Sequence, residues 1–122
     1  MTAEGWFCQL MMKENTRMRG QGETIPYLMA RLPVWSPKDH TVNLYFWYYT
    51  TLALHMSGAP EFVTWNKALV QALLTGQVMK GAAKGSWDPV CVLGERGGRV
   101  YTTATAALCL EVYYRYLPFY KQ

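Results

Sequence analysis

The sequence predicts an all-α protein, and three observations carry the prediction. Residues 42–57, VNLYFWYYTTLALHMS, run for sixteen positions without a turn signal. That is long for a strand, although Tyr, Phe, Trp and Thr favour strands. Residues 61–79 place Phe62, Trp65, Leu69, Ala72, Leu73 and Gly76 at offsets 0, 3, 7, 10, 11 and 14, one stripe of a helix. Residues 99–116 form a second long apolar run, ended by Pro118.

Each element follows from local signals. Ala3, Trp6, Phe7, Leu10 and Met11 share one helical face, so a first helix is predicted over 2–13. The glycines of RMRGQGET break it. Thr24 then offers an N-cap, and Pro26 suits the first turn of a short helix over 24–32 carrying Ile25, Leu28, Met29 and Leu32; Pro33 and Pro37 end it. The helix over 42–57 has no polar face, so it must be surrounded by other helices rather than lie on a surface. Gly58 stops it. Pro60 and Glu61 open the amphipathic helix over 61–79, the carboxylate meeting the positive end of the helix dipole. A glycine-rich loop, Gly81 to Gly98, leads to the last helix over 99–116, which is again apolar nearly all round.

Length and composition bound the functional classes. A chain of 122 residues makes one domain. With 51% hydrophobic and 16% charged residues it is too apolar to be disordered. The net charge of +4 comes from Lys and Arg scattered singly, without the basic stripe that a nucleic-acid partner requires. Cys8, Cys91 and Cys109 are odd in number and lack a C-x-x-C pair, so a reducing, cytoplasmic compartment is the default. The start, MTAEGWFCQLMMKEN, lacks the basic n-region of a signal peptide, and the 42–56 run is too short and too interrupted to span a bilayer.

The helices alternate between short or amphipathic (24–32, 61–79) and more uniformly apolar (42–57, 99–116). A shift of 56 residues lays Tyr45 on Tyr101, Leu52 on Leu108, Ala53 on Cys109 and Leu54 on Leu110. A shift of 101 lays Thr2, Ala3 and Cys8 on Thr103, Ala104 and Cys109. Periods of this length fit a repeat of two helices.

The stretches NLYFWYYTTLALHMSG, EFVTWNKALVQALL, GSWDP and GGRVYTTATAALCLEVYYRYLPFY resemble the prenyltransferase and squalene-oxidase repeat of terpene cyclases and protein prenyltransferase β subunits. The likeness is greatest to large planctomycete proteins that carry these repeats, and it covers most of residues 40–120. Gln77 with Gly85–Trp87 is similar to the QW motif, in which Gln and Trp tie helix ends together; here eight residues separate Gln77 from Ser86. The resemblance implies an incomplete α/α toroid of about two and a half helical hairpins, an inner ring of apolar helices backed by an outer ring of amphipathic ones. Such a repeat, stacked on one neighbour only, leaves a hydrophobic flank bare. The expectation is therefore a piece of a longer repeat array, or copies that complete one another as a homo-oligomer.

The chemistry that the resemblance suggests is not spelled out by the residues. The acidic D-x-D-D cluster of the protonating cyclases has no counterpart among the eight scattered acids. Asp88, Cys91 and His55 mimic the Asp, Cys and His zinc ligands of the prenyltransferases in type, but not the Asp-x-Cys spacing. Asp88 is read instead as a turn or cap residue, Cys91 as a small hydrophobe and His55 as a structural histidine. Asp88, Glu95 and Glu111 show no spacing that would set a glycosidase pair face to face. His40, beside Lys38 and Asp39, belongs on the surface.

Two weaker ligand signals remain. GERGGR offers Arg96, Arg99 and a helix start to an anion but lacks a P-loop ending; Gly97 and Gly98 are explained more simply by the turn. Tyr45, Tyr48, Tyr101 and Thr103 either line a binding surface or hydrogen-bond between helices. Trp65, Trp87, Tyr101 and Leu108 are expected to carry the packing. The functional expectation is a non-catalytic helical module that meets a protein partner or other copies of itself, with no cofactor. The alternatives are a fragment of a cyclase-like or prenyltransferase-like enzyme and an isoprenoid or other apolar-ligand binder.

Overall fold

The computed structural model describes residues 2–12 and 21–115. Five α-helices follow one another: α1 (Thr2–Met11), α2 (Gln21–Met29), α3 (Leu44–Ser57), α4 (Phe62–Gly76) and α5 (Gly94–Arg115), with a 3-10 turn at Pro37–Asp39. The described residues contain no β-strand; Gln77 and Trp87 form an isolated antiparallel bridge. The predicted class is thus observed. Lys13, Tyr116 and Pro118, on which the expected ends of the first and last helices fall, lie outside the described residues, as does much of the predicted break after α1.

The boundaries record how local signals were outweighed. The short helix begins at Gln21 rather than Thr24 and ends at Met29, so Thr24 is not its cap. Pro26 lies inside it, where the missing N–H forfeits a bond that would reach the carbonyl of Gly22. In α3 the caps are regular. The Asn43 side chain accepts the Phe46 N–H at 3.0 Å, and Gly58, at φ 69°, returns its N–H to the Leu54 and His55 carbonyls.

Helix α4 stops at Gly76, short of residue 79, because Gln77 turns extended. The chain then pairs with itself. Val78 N–H donates to Ser86 at 2.8 Å, Gly85 N–H returns to Val78 at 2.7 Å, and the Gln77 side-chain amide donates to the Gly85 carbonyl at 3.0 Å. The expected open loop over 81–98 is therefore a clasp followed by a helical turn from Gly94, and Gly98, at φ 69° and ψ −167°, breaks that turn from the helix proper. This is a conformation that glycine alone adopts readily.

Ring and side-chain contacts fix the helix directions. Glu4 lies in the electrostatic reach of Tyr45, Phe7 meets Tyr49 at 5.8 Å, and Leu10 packs beside Leu52 and Met56, so α1 and α3 run the same way. Tyr101 interacts with Tyr45, Val112 joins Leu52 and Met56, and Tyr113 lies 6.2 Å from His55, so α5 also runs with α3. Helix α4 runs against α3. Its Phe62 sits 4.9 Å from His55 near the end of α3, and Trp65 stacks edge-on to Phe46 at 6.0 Å. The Trp35 ring closes the hairpin, 6.3 Å from Trp47 at the start of α3 and seated directly over Gly76 at the end of α4.

Helix α3 is the axis of this arrangement, touched by α1, α4 and α5. Its Leu44, Trp47, Leu52, Leu54 and Met56 are buried, which is why its sequence carries no polar face. The surrounding helices are supplied by the chain itself. The expectation of an all-round apolar, enclosed helix does not extend to α5: Ala104, Ala107 and Glu111 are exposed beside Val100 (82%) and Tyr114 (86%). Trp65 and Trp87 are buried as expected, while Tyr101 and Leu108 are half-buried.

Candidate functional site

A half-open cleft of about 590 Å³ lies where α1, α2 and the first turn of α3 converge. Helix α1 contributes Glu4; Tyr27 and Arg31 come from α2 and the residues just after it; His40, Thr41 and Asn43 precede α3; Tyr45, Phe46 and Trp47 open α3.

Its polar wall is built by a self-bonded loop. Thr41 donates its hydroxyl to the Val34 carbonyl at 2.6 Å and accepts the Ser36 N–H at 3.1 Å. His40 adopts φ 53° and closes the 3-10 turn through its N–H to Pro37. The imidazole of His40 is exposed, as its sequence neighbours suggest. Arg31 donates to the Tyr27 carbonyl at 3.0 Å, and its guanidinium lies 3.9 Å over the Tyr27 ring, a cation–π contact. Tyr45 packs edge-on against Tyr49 at 4.9 Å. Desolvation first, then the neighbouring Tyr49 and Glu4, raises the Tyr45 phenol above its ordinary value. The cleft thus sets a carboxyl, a guanidinium and an imidazole around a floor of aromatic rings, a lining suited to a ligand with a flat apolar body and polar edges.

Of the ligand-binding candidates Tyr45, Tyr48, Tyr101 and Thr103, Tyr45 alone lines this cleft, where His40 also stands. Tyr48 and Tyr101 are half-buried in the helix packing, and desolvation first raises the Tyr101 phenol, opposed by its hydrogen bond with Thr105. Thr103 accepts the Trp87 backbone N–H at 3.2 Å and so belongs to the clasp. Arg99 pairs with Asp88 and donates to the Ser86 hydroxyl at 2.8 Å, which joins the two ends of the clasp; Arg96 is exposed. Of the two arginines of GERGGR, Arg99 is thus already engaged by a carboxylate of the clasp.

The weak metal candidates are also dispersed. Cys91 is buried beside Gly94 and Thr102, and Asp88 is held by Arg99. His55 is buried against Phe62 and Tyr113. From Arg99 to Tyr113 the helix rises about 21 Å, so His55 stands at the other end of α5 from Asp88. Among the described residues no three His, Cys, Asp or Glu side chains gather into a metal site.

Sequence reasoning missed Glu4, Tyr27 and Arg31 as cleft residues. The i, i+4 spacing of Tyr27 and Arg31 was a readable sign of a stacked pair; the meeting of both with Glu4 is a tertiary event. No protein-family model, curated protein or solved structure matches the chain.

Proposed function

We propose that this chain is an arc of an α/α toroid acting as a non-catalytic interaction module, whose neighbours are copies of itself or further repeats of the same kind. One observation carries the reading. Helices α1, α3 and α5 run in one direction side by side, with α4 antiparallel behind α3, and among the described residues the outer side of α5 exposes Val100, Ala104, Ala107 and Tyr114 beside the Glu111–Arg115 ion pair. An inner layer of parallel helices backed by reversed ones is the arrangement that the prenyltransferase-type repeat implies. The clasp joining Gln77 to Trp87 supports the same reading, since it ties the end of an outer-type helix to the start of the next inner-type one.

The test is the mass of the isolated chain in solution. Sedimentation over a hundredfold range of concentration is expected to show a species heavier than the 14.0 kDa monomer that grows with concentration. A monomer throughout overturns completion by copies.

The cleft favours a second reading, the binding of a small molecule. Its mixed lining suits a flat ligand bearing polar groups better than a bare isoprenoid chain. Native mass spectrometry of the purified protein, alone and with aromatic acids or allylic diphosphates, separates these ligand classes by which mass adduct survives Arg31→Ala.

A further inference from the structure

A guanidinium and a carboxyl, those of Arg31 and Glu4, line the cleft together. Arg31 is held in place there. Its guanidinium lies 3.9 Å over the Tyr27 ring, and one of its N–H groups donates to the Tyr27 carbonyl at 3.0 Å. A guanidinium carries five N–H donors in a planar fork, so this single bond leaves donors to spare. Among the described residues no carboxylate lies within ion-pair distance of Arg31. A fork already stacked and bonded loses little further freedom when an anion arrives, which favours planar anionic groups such as carboxylates.

The apolar part of the lining is also fixed before any ligand enters. Tyr45 packs edge-on against Tyr49 at 4.9 Å, and Phe46 stands edge-on to Trp65 at 6.0 Å. Rings held by their neighbours offer a ready surface to another ring.

The charges decide which ligand suits such a surface. The field of Glu4 reaches into the cleft, since after desolvation and Tyr49 it is a further cause of the raised Tyr45 phenol. A diphosphate would therefore bring several negative charges to one guanidinium while being repelled by Glu4. A cation would meet Arg31 where it already covers the Tyr27 ring. A neutral aromatic molecule would leave the spare donors of Arg31 to water. A single negative charge on a flat ring satisfies the guanidinium at the least cost from Glu4.

We infer that the cleft binds a monoanionic aromatic carboxylate, with its carboxylate on Arg31 and its ring against Tyr45 and Phe46. The inference rests on the small-molecule reading of the cleft above and deepens it, by committing to the aromatic acids over the allylic diphosphates.

Calorimetric titration of the unaltered chain with three probes tests it: 2-naphthoate, its neutral relative 2-naphthylmethanol, and geranyl diphosphate. Naphthoate is expected to bind one to one and about tenfold or more tighter than either of the others, the gain of one charge-assisted pair. Added salt should weaken naphthoate and leave the alcohol unchanged. Arg31→Gln, at an exposed position, should keep the circular dichroism of the parent and bring naphthoate down to the affinity of the alcohol. Equal affinity for acid and alcohol in the unaltered chain overturns the inference and leaves a cleft for apolar ligands. Tighter binding of the diphosphate also overturns it, in favour of an isoprenoid ligand. Naphthoate binding that survives Arg31→Gln puts the carboxylate elsewhere and overturns it as well. If none of the three binds at millimolar concentration, the inference and the small-molecule reading fall together.

Discussion

The indole of Trp87 donates its N–H to the backbone carbonyl of Leu73 at 2.8 Å, across a gap of fourteen residues. Leu73 lies in the last turn of α4, where carbonyls lack an intrahelical partner. The buried ring therefore caps α4, and the backbone N–H of the same residue, donating to the Thr103 hydroxyl, anchors the start of α5. Trp87→Phe keeps most of the apolar surface but leaves the Leu73 carbonyl unsatisfied, so a loss of about 1–3 kcal/mol is expected. Urea titration followed by circular dichroism measures it, and an unchanged midpoint would show that the clasp does not support the fold.

Two adjacent threonines of α3 are expected to respond oppositely to the same change. Thr51 donates to the Trp47 carbonyl at 2.6 Å and accepts the Trp65 indole N–H at 2.9 Å. Thr50 is equally buried, but its hydroxyl has no hydrogen-bond partner. Thr51→Val strands a buried donor and should cost about 1–3 kcal/mol. Thr50→Val removes an unsatisfied polar atom and should be neutral or stabilising. Equal destabilisation of the two variants in chemical denaturation would refute the assignment.

Gly76 lies beneath the Trp35 ring, and a Cβ there would fall inside the indole. Gly76→Ala is expected to destabilise by about 1–3 kcal/mol, as overpacking does. Trp35→Ala should itself be destabilising. In that background Gly76→Ala should cost less, because the clash is gone. A double-mutant cycle reads the coupling, and additive effects would exclude the ring as the cause.

Tyr45 and Tyr101 both have phenols raised above their ordinary value of 10.0, in each case by desolvation first. A raised folded-state value means that the unfolded chain loses its protons first as the pH rises. The stability they contribute is therefore complete below about pH 10 and is lost as the pH climbs through the higher folded values. Ultraviolet absorbance of the phenolates should show two phenols titrating late, and Tyr45→Phe with Tyr101→Phe should flatten the alkaline fall in melting temperature. A fall that is equally steep in the double variant would place its origin elsewhere.

The three thiols should separate by accessibility. Cys8 is exposed, whereas Cys91 and Cys109 are buried and desolvation holds the Cys109 thiol far above its usual range. A thiol reagent is expected to label Cys8 within minutes and the other two only on unfolding. Rapid labelling of Cys109 in the folded chain would contradict the packing of α5 on α3.

The site was less legible than the class. Tyr45 was readable only as one of four residues that either line a binding surface or hydrogen-bond between helices, and the segments that hold Glu4 and Arg31 say nothing of their meeting with it. Asp88 and Arg99, one read as a possible ligand and the other as an anion contact, turned out to satisfy each other, since a salt bridge between loop and helix depends on a fold-back that no periodicity reports. The misplaced starts of α2 and ends of α4 have the same origin. Thr24 and residues 77–79 carry ordinary helix signals, and cooperative extension of α2 to Gln21 and pairing of Gln77 and Val78 with 85–87 overrode them.

What the amino acids determined alone was the helical class, the stripe of α4, the stop of α3 at Gly58 and the turn at Gly98, because these depend on spacing along the chain and on backbone preference within a few residues; the start of α3, expected at Val42, falls at Leu44 behind the Asn43 cap. The tertiary structure alone decided that α3 is enclosed by its own chain while α5, written in much the same alphabet, keeps one flank in water. The reason is that burial belongs to the neighbours a helix finds: α3 stands between α1 and α5 with α4 behind it, whereas among the described residues α5 packs chiefly on α3.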